Sequence, residues 1–352
     1  MSIAEGQRRA VRSKVQRQHL ARKERFQKAV AIAALVSMAG CTVGGSQGAA
    51  KKESSVKDTK DFMIGVEQYT PHPALDAATQ GFVDELKDEL DLTDKNFDIQ
   101  NAAGQAENCS TIANSLVQEK CDLILGNATP ALQALASATS DIPVLGTAIT
   151  EYGTALGLSD FKGTVGTNVS GTSDLAPLDK QAAMFDELLP DAKKIGILYC
   201  AAEPNSKYQA DVVEEALTKA GKEVTRYTFT DTNDVAQVTQ SACAGSDAIY
   251  IPTDNAAASS AEAINNVALN AKTPIIAGEE GICKGCGIAT LSIDYYELGK
   301  TTGKMAAKIL KGESKVSEMP IEYYQNPVKE YDKERCEALG IQIPSDYKAI
   351  ED

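Results

Sequence analysis

The chain contains no tryptophan, and aromatic residues fill only 5% of its 352 positions. A core poor in rings must be built from Ala, Val, Ile and Leu, the side chains that let helices lie close on parallel sheets. Only two histidines occur, His19 and His72, which leaves little room for imidazole acid–base chemistry near neutral pH. No G-x-S-x-G, P-loop or G-x-G-x-x-G is present, so hydrolysis at a nucleophile elbow and phosphate-cradled cofactors have no motif to rest on. Beyond residue 28 there are just two arginines, Arg226 and Arg335. An anion site built from guanidinium forks is therefore poorly supplied.

Basic charge is short in the body as a whole. The first 28 residues hold nine Lys and Arg against Glu5 and Glu24, leaving 26 basic and 47 acidic groups for the rest. A body so acidic repels nucleic acid and anionic lipid headgroups, and no nucleic-acid partner is expected. After the basic stretch comes an uncharged, largely apolar run, Ala29 to Gly40, of twelve residues. A bilayer span needs about twenty, whereas a signal-peptide core needs about this many.

That run ends Met38-Ala39-Gly40-Cys41, which resembles a lipobox, the bacterial signal for lipidation of the Cys after cleavage. The stretch from Thr42 to Lys60 is rich in Gly, Ser, Ala and Lys, the composition of a flexible tether. The expected division is residues 1–40 as signal peptide and 41–60 as lipidated Cys41 plus tether. The first lobe follows over 61–168, the second over 169–290, and a crossover helix with a C-terminal tail over 291–352. Part of that last segment is expected to cross back to the first lobe.

Within the body, apolar runs of strand length at Phe62–Val66, Phe97–Gln100, Asp122–Leu125 and Pro143–Thr147 alternate with amphipathic stretches at 73–90, 106–119 and 130–138. After a break around Gly163–Asp174 the alternation resumes. Strands are predicted at Lys194–Tyr199, Val224–Phe229, Ala248–Ile251 and Pro274–Ala277, and helices at 178–188, 205–220, 233–243, 256–271 and 294–311. Repeated βα units with continuous apolar strands imply an α/β fold, with two Rossmann-like lobes of parallel sheet joined by a hinge. In such sheets ligands bind beyond the carboxyl ends of the strands.

Those ends carry Gln68 and His72 after the first strand, Thr129 after the third and Thr147 in the fourth. In the second lobe they carry Glu203, Asn205 and Ser206, then Thr253, Asp254 and Asn255, then Glu280, with Asp294 ahead of the last helix. Turns favour such residues in any case, but their recurrence in both lobes points to a polar cleft. Carboxylates without arginine suit a cation, and hydroxyls with helix N-termini suit one carboxylate, so a zwitterion fits. Asp254, then Glu203, is expected to hold its ammonium, Thr129 or Ser206 its carboxylate, and Gln68 and His72 its side chain. A ring could stack on Tyr69, Tyr152 or Tyr295.

Seven cysteines remain besides Cys41. Cys283-Lys-Gly-Cys286 has the spacing of a structural pair, a local disulfide or, least well supported, a redox or metal site; no metal or cofactor is expected.

The strings Ile64-Gly65-Val66-Glu67-Gln68, His72-Pro73-Ala74-Leu75-Asp76 and Gly81-Phe82 resemble the ABC-transporter substrate-binding family that includes tryptophan/tyrosine-binding lipoproteins. So do Ala128-Thr129-Pro130-Ala131, Ser170-Gly171-Thr172-Ser173-Asp174, Glu203-Pro204-Asn205-Ser206, Pro252-Thr253-Asp254-Asn255 and Asp294-Tyr295-Tyr296-Glu297-Leu298-Gly299. The resemblance implies a periplasmic-binding-protein type I architecture, an aromatic or other apolar amino acid as ligand, and delivery to a membrane permease and its ATPase. It implies no enzyme activity; the protein is expected to act as a monomer held to the membrane through Cys41. Where relatives often carry serines after the strand-end Tyr, this chain has Cys200-Ala201-Ala202. A nucleoside, sugar or short peptide is the alternative ligand, and presentation of a ligand to a sensor the alternative role.

Overall fold

The computed structural model describes residues 61–351; the leader, Cys41 and the tether lie outside the described residues. The first lobe runs β1 (Ile64–Gln68), α1 (Pro73–Leu90), β2 (Phe97–Asn101), α2 (Ala106–Gln118), β3 (Leu123–Asn127), α3 (Thr129–Ala138), β4 (Val144–Ile149), α4 (Tyr152–Leu156) and β5 (Val169–Ser173). The second runs α5 (Leu178–Leu188), β6 (Lys194–Cys200), α6 (Pro204–Lys219), β7 (Glu223–Phe229), α7 (Val235–Gly245), β8 (Ala248–Ile251), α8 (Asn255–Ser259), α9 (Ala261–Ala271), β9 (Ile275–Ala277), α10 (Glu280–Cys286) and β10 (Ala289–Ser292). The chain ends with α11 (Tyr295–Leu310), β11 (Glu322–Tyr323), β12 (Val328–Tyr331), α12 (Lys333–Leu339) and β13 (Lys348–Ala349).

Strand order is β11-β5-β4-β3-β1-β2 in one sheet and β13-β12-β10-β9-β8-β6-β7 in the other. All described pairings are parallel except β10 with β12. Set aside the added edge strands and both lobes have the same doubly wound order, with the first and third strands side by side at the topological switch point. Every residue of β1, β3, β4 and β8 is buried, as sheets covered on both faces require. The chain passes between lobes three times, from β5 to α5, from β10 to α11 and from β11 to β12.

Two sequence expectations need correction. Residues 169–173 fall in the expected break and were placed at the start of the second lobe, yet they pair with β4 in the first sheet. The strand is Val-Ser-Gly-Thr-Ser, whose hydroxyls hide its burial. Ser170 donates to the Met319 carbonyl (3.0 Å), Thr172 meets Thr302 (2.8 Å) and Ser173 donates to the Thr150 carbonyl (2.9 Å). Small side chains with satisfied hydroxyls make a core strand that composition alone reads as a loop. The helix expected over 256–271 is interrupted at Ser260. The C-terminal segment divides: α11 packs on α1 in the first lobe, while β12 and β13 extend the second sheet.

The α1–α11 contact is unusually close. A Cβ on Gly299 would lie 2.0 Å from the Ala78 carbonyl oxygen, and one on Gly81 2.1 Å from that of Tyr296. In a free helix Gly→Ala stabilises by about 1 kcal/mol. Here the clash reverses the sign: Gly299→Ala should destabilise the chain by about 1–3 kcal/mol, read as a lower urea midpoint at unchanged slope. A higher midpoint would mean that the two helices are not in this contact.

Candidate ligand-binding site

The two switch points face one another across the lobes. From the first lobe come the loop after β1 and the start of α3; from the second come the starts of α6 and α8. They already touch. His72 Nε2 lies 3.2 Å from Asn255 Oδ1, and Thr70 Oγ1 lies 3.4 Å from Ser259 Oγ. Asn255 donates its Nδ2 to Glu203 (2.6 Å), which leaves Oδ1 as the acceptor and makes Nε2 the protonated ring nitrogen of His72. Burial holds the His72 pKa below its usual value, so the ring is neutral. Its Nδ1 is then a buried acceptor without a partner.

Both carboxylates expected to meet a ligand cation are occupied by the fold. Asp254 accepts from the Cys200 N–H (2.7 Å) and caps α8 through the Ala257 N–H (2.7 Å). Glu203 accepts from the backbone of Asn255 (3.0 Å) and Ala256 (2.9 Å) as well as from the Asn255 side chain. Burial first, and the neighbouring Glu203 second, raise the Asp254 pKa well above the usual carboxylate range. Ser206 bonds to Asp254 from the first turn of α6. These side chains build the second-lobe rim.

The other expected residues divide between rim and scaffold. Asn205 and Thr253 do stand at the lobe junction, with Asn205 Nδ2 donating to the Thr253 carbonyl (3.1 Å). Gln68 is committed to Thr70, Asp76 and Thr79. Thr129 opens α3 as its first helical residue; the cap position belongs to Ala128. Thr147 is sealed beneath Thr172 and α11. Glu280 is exposed on α10, whose cap is instead the buried Glu279. Asp294 is an exposed cap on α11, accepting from the Glu297 N–H. Tyr152 is a core residue bonded to the Gly146 and Thr172 carbonyls.

Several groups that sequence reasoning passed over stand at the crossover. Asp174 follows β5 where the chain first changes lobe. One oxygen accepts from Tyr295 (3.0 Å), the other has no partner, and burial raises its pKa to about 6. Thr150 lies close to Asp174 and meets Gln209 of α6 (3.4 Å), and Gln209 in turn bonds the Asn205 backbone and the Thr253 carbonyl. Asn205 Oδ1 is likewise buried and unpaired. Tyr295 reaches Thr253 from the other side. One polar chain therefore joins the lobes, and its loose ends are acceptors. The signal for Asp174 was present in the Ser170–Asp174 string, but not its position at a crossover.

Backbone strain marks the same edge. Ala103, Ala128 and Ala148 all have positive φ (51°, 84° and 54°), a region costly for residues with a Cβ and frequent at ligand sites. They follow or end β2, β3 and β4, the three strands whose tips border the cleft. The cysteines take no part in such chemistry. All seven described thiols are free, and burial pushes Cys286 up to about 12, so the C-x-x-C pair is a protonated part of the core. Among the described residues no cluster could hold a metal, and no helix is long and apolar enough to cross a membrane.

The family model for ABC transporter substrate binding proteins matches residues 63–349. A tyrosine-binding protein of Clostridioides difficile is 36% identical over 286 residues, covering 81% of this chain and 82% of that one. An ABC domain solved in complex with L-Trp from Streptococcus pneumoniae is 34% identical, covers 81% of this chain and 97% of its own, and superposes with a TM-score of 0.78. A ligand-free, open substrate-binding protein with adhesive properties from Clostridium difficile is 38% identical over 82% of this chain and 99% of its own, yet its TM-score is only 0.63. The greater likeness to a ligand-bound form, despite the lower identity, agrees with the lobe-to-lobe hydrogen bonds in assigning a closed arrangement. The family is a binding class, not an enzyme class. With two doubly wound lobes, three crossovers and a polar seam between them, this chain belongs to the ABC transporter substrate-binding protein family and has the periplasmic-binding-protein type I fold.

Proposed function

We propose that the chain is the lipid-anchored, extracytoplasmic binding component of an ABC importer and that it closes around an amino acid, an aromatic one by preference. The observation that carries this reading is the set of buried, unpaired acceptors at the lobe junction, Asp174 Oδ1 and Asn205 Oδ1, joined through Thr150 and Gln209. A buried acceptor without a donor is costly, and an ammonium brings three donors. The ligand carboxylate then faces the first turn of α3 at Thr129, where the helix N-terminus offers N–H groups and favourable dipole. The tryptophan complex and the tyrosine-binding relative support an aromatic side chain. A ligand that touches both lobes favours closure by its differential affinity for the closed state. The family supports delivery to a permease and its ATPase, and Met38–Cys41 supports the anchor.

Calorimetry of the mature chain against the twenty amino acids, nucleosides and sugars tests the ligand class. Because the chain has no tryptophan, indole fluorescence in the purified complex reports bound L-tryptophan directly. Stabilisation by sugars or nucleosides and by no amino acid would overturn the reading. Asp174→Asn should weaken amino-acid binding by about tenfold or more, since a charge-assisted hydrogen bond contributes about 1.5–3 kcal/mol; an unchanged Kd removes Asp174 from the ammonium site.

The pH dependence follows from the same group. Asp174 binds an ammonium when ionised, and in the empty site it takes up a proton near pH 6. Affinity should therefore be level above about pH 7 and fall by up to about tenfold per unit below pH 6, as a proton competes with the ligand. The Asp174→Asn variant should lose that slope. Cys41→Ser should move the protein from the membrane fraction to the soluble fraction in the native host, and retention in the membrane would refute the anchor.

A further inference from the structure

An ammonium at Asp174 accounts for the junction but leaves Glu67 unexplained. Glu67 is the fourth residue of β1, fully inaccessible, and neither carboxyl oxygen has a hydrogen-bond partner among the described residues. The group beside it is the Cys109 thiol in the first turn of α2, a weak donor. Its neighbour Gln68 points to the opposite face and is fully satisfied by Thr70, Asp76 and Thr79. Between these two strand neighbours the absence of a partner is therefore particular to Glu67.

Alternation along the strand puts Glu67 on the same face as Tyr69. Tyr69 donates its hydroxyl to the Gly104 carbonyl (2.9 Å). Burial raises its pKa, and Glu203, Cys109, Cys200 and Asp254 each raise it further, so the hydroxyl feels charged groups of both lobes. Glu67, Cys109 and Tyr69 thus make up one face of the first lobe, within electrostatic range of Cys200 on the other lobe. Its thiol and phenol are uncharged, as an apolar or aromatic side chain requires, and it ends in one unpaired acceptor.

We propose that Glu67 forms the far end of the ligand pocket and accepts a hydrogen bond from a donor on the ligand's side chain, a phenol O–H or an indole N–H. The inference rests on the amino-acid reading above and narrows it: the site selects aromatic amino acids that carry a ring donor over phenylalanine. A site built around such a donor rejects the analogue that lacks it, because the acceptor is then left buried and unpaired.

The test is calorimetry of the mature parent chain, Glu67→Leu and Glu67→Gln with L-tyrosine, L-tryptophan and L-phenylalanine, using displacement where binding is weak. The parent should bind tyrosine or tryptophan about 100-fold or more tighter than phenylalanine. Glu67→Leu should bring that ratio below about tenfold while phenylalanine binds as well as before or better. Glu67→Gln, which keeps an acceptor oxygen in the same shape, should retain part of the preference. A carboxyl that is merely buried would change stability in both variants and leave the ratio where it was, which would overturn the inference alone. Failure of the parent to bind any of the three would remove the aromatic reading and this inference together.

Discussion

Glu203 and Asp254 are buried against one another in the second lobe, and the shape of the cleft depends on how that burden is met. Two adjacent carboxylates cannot both stay ionised away from water without donors. Each is supplied with backbone N–H groups from the start of α8, and Asp254 takes one more from the end of β6. Burial above all, and the charge of Glu203 second, raise the pKa of Asp254, so Asp254 takes up a proton readily. The consequence is geometric. The end of β6, the first turn of α6 and the whole of α8 are fastened into one platform, and Asn205 and Asn255 are carried on it with their side chains fixed. Losing either acid would leave the other charge beside orphaned N–H groups, so the rim would loosen as a unit.

Against that platform the first lobe makes only light contact. The His72–Asn255, Thr70–Ser259 and Gln209–Thr150 bonds are neutral and long, each contributing about 0.5–1.5 kcal/mol net. Contacts of that size close the lobes only weakly, which suits a protein that must release its cargo. Most of the closing free energy then has to come from a ligand engaging both sides. The positive-φ alanines at the ends of β2, β3 and β4 fit the same logic. The strain at Ala128 and Ala148 is held in place by their buried cluster with Ile293, Tyr295 and Leu298, which links those strand tips to the crossover into α11. The hinge and the first-lobe site are therefore built from one set of packed residues.

Much of the architecture was legible because it rests on periodicity. The apolar strands and amphipathic helices of both lobes reappear close to the positions read from composition, and residues near strand ends of the two lobes meet at the junction. What escaped has a common cause. β5 and β10 are small, hydroxyl-bearing strands whose burial depends on distant partners such as Met319 and Thr302, so local composition could not show it. The same limit applies to the acids. A strand-end carboxylate looks alike in sequence whether it caps a helix, as Asp254 and Glu279 do, or is left with a free oxygen, as Asp174 is. Only the hydrogen-bond inventory separates the two. Glu67 lies inside the quoted Ile64–Gln68 string but beyond the strand predicted over Phe62–Val66, whereas β1 runs on to Gln68 and is buried throughout.

The scarcity of arginine takes on a definite meaning in three dimensions. Arg226 is spent on Asp211 and Glu214 at the surface of the second lobe. Arg335 closes the end of α10 by donating to the carbonyls of Cys283, Lys284 and Gly287. Neither reaches the cleft, and no lysine among the described ion pairs does either. The junction thus presents acceptors without fixed positive charge, so a ligand that carries only anions would meet repulsion and no fork. In the proposed site, a ligand with one cation and one carboxylate would meet Asp174 at one end and helix N–H groups at the other. Its side chain would then be left to the face that carries Glu67. Selectivity in such a site follows from which buried acceptors the ligand satisfies, more than from the area it covers, because each acceptor left empty in the closed state counts against closure.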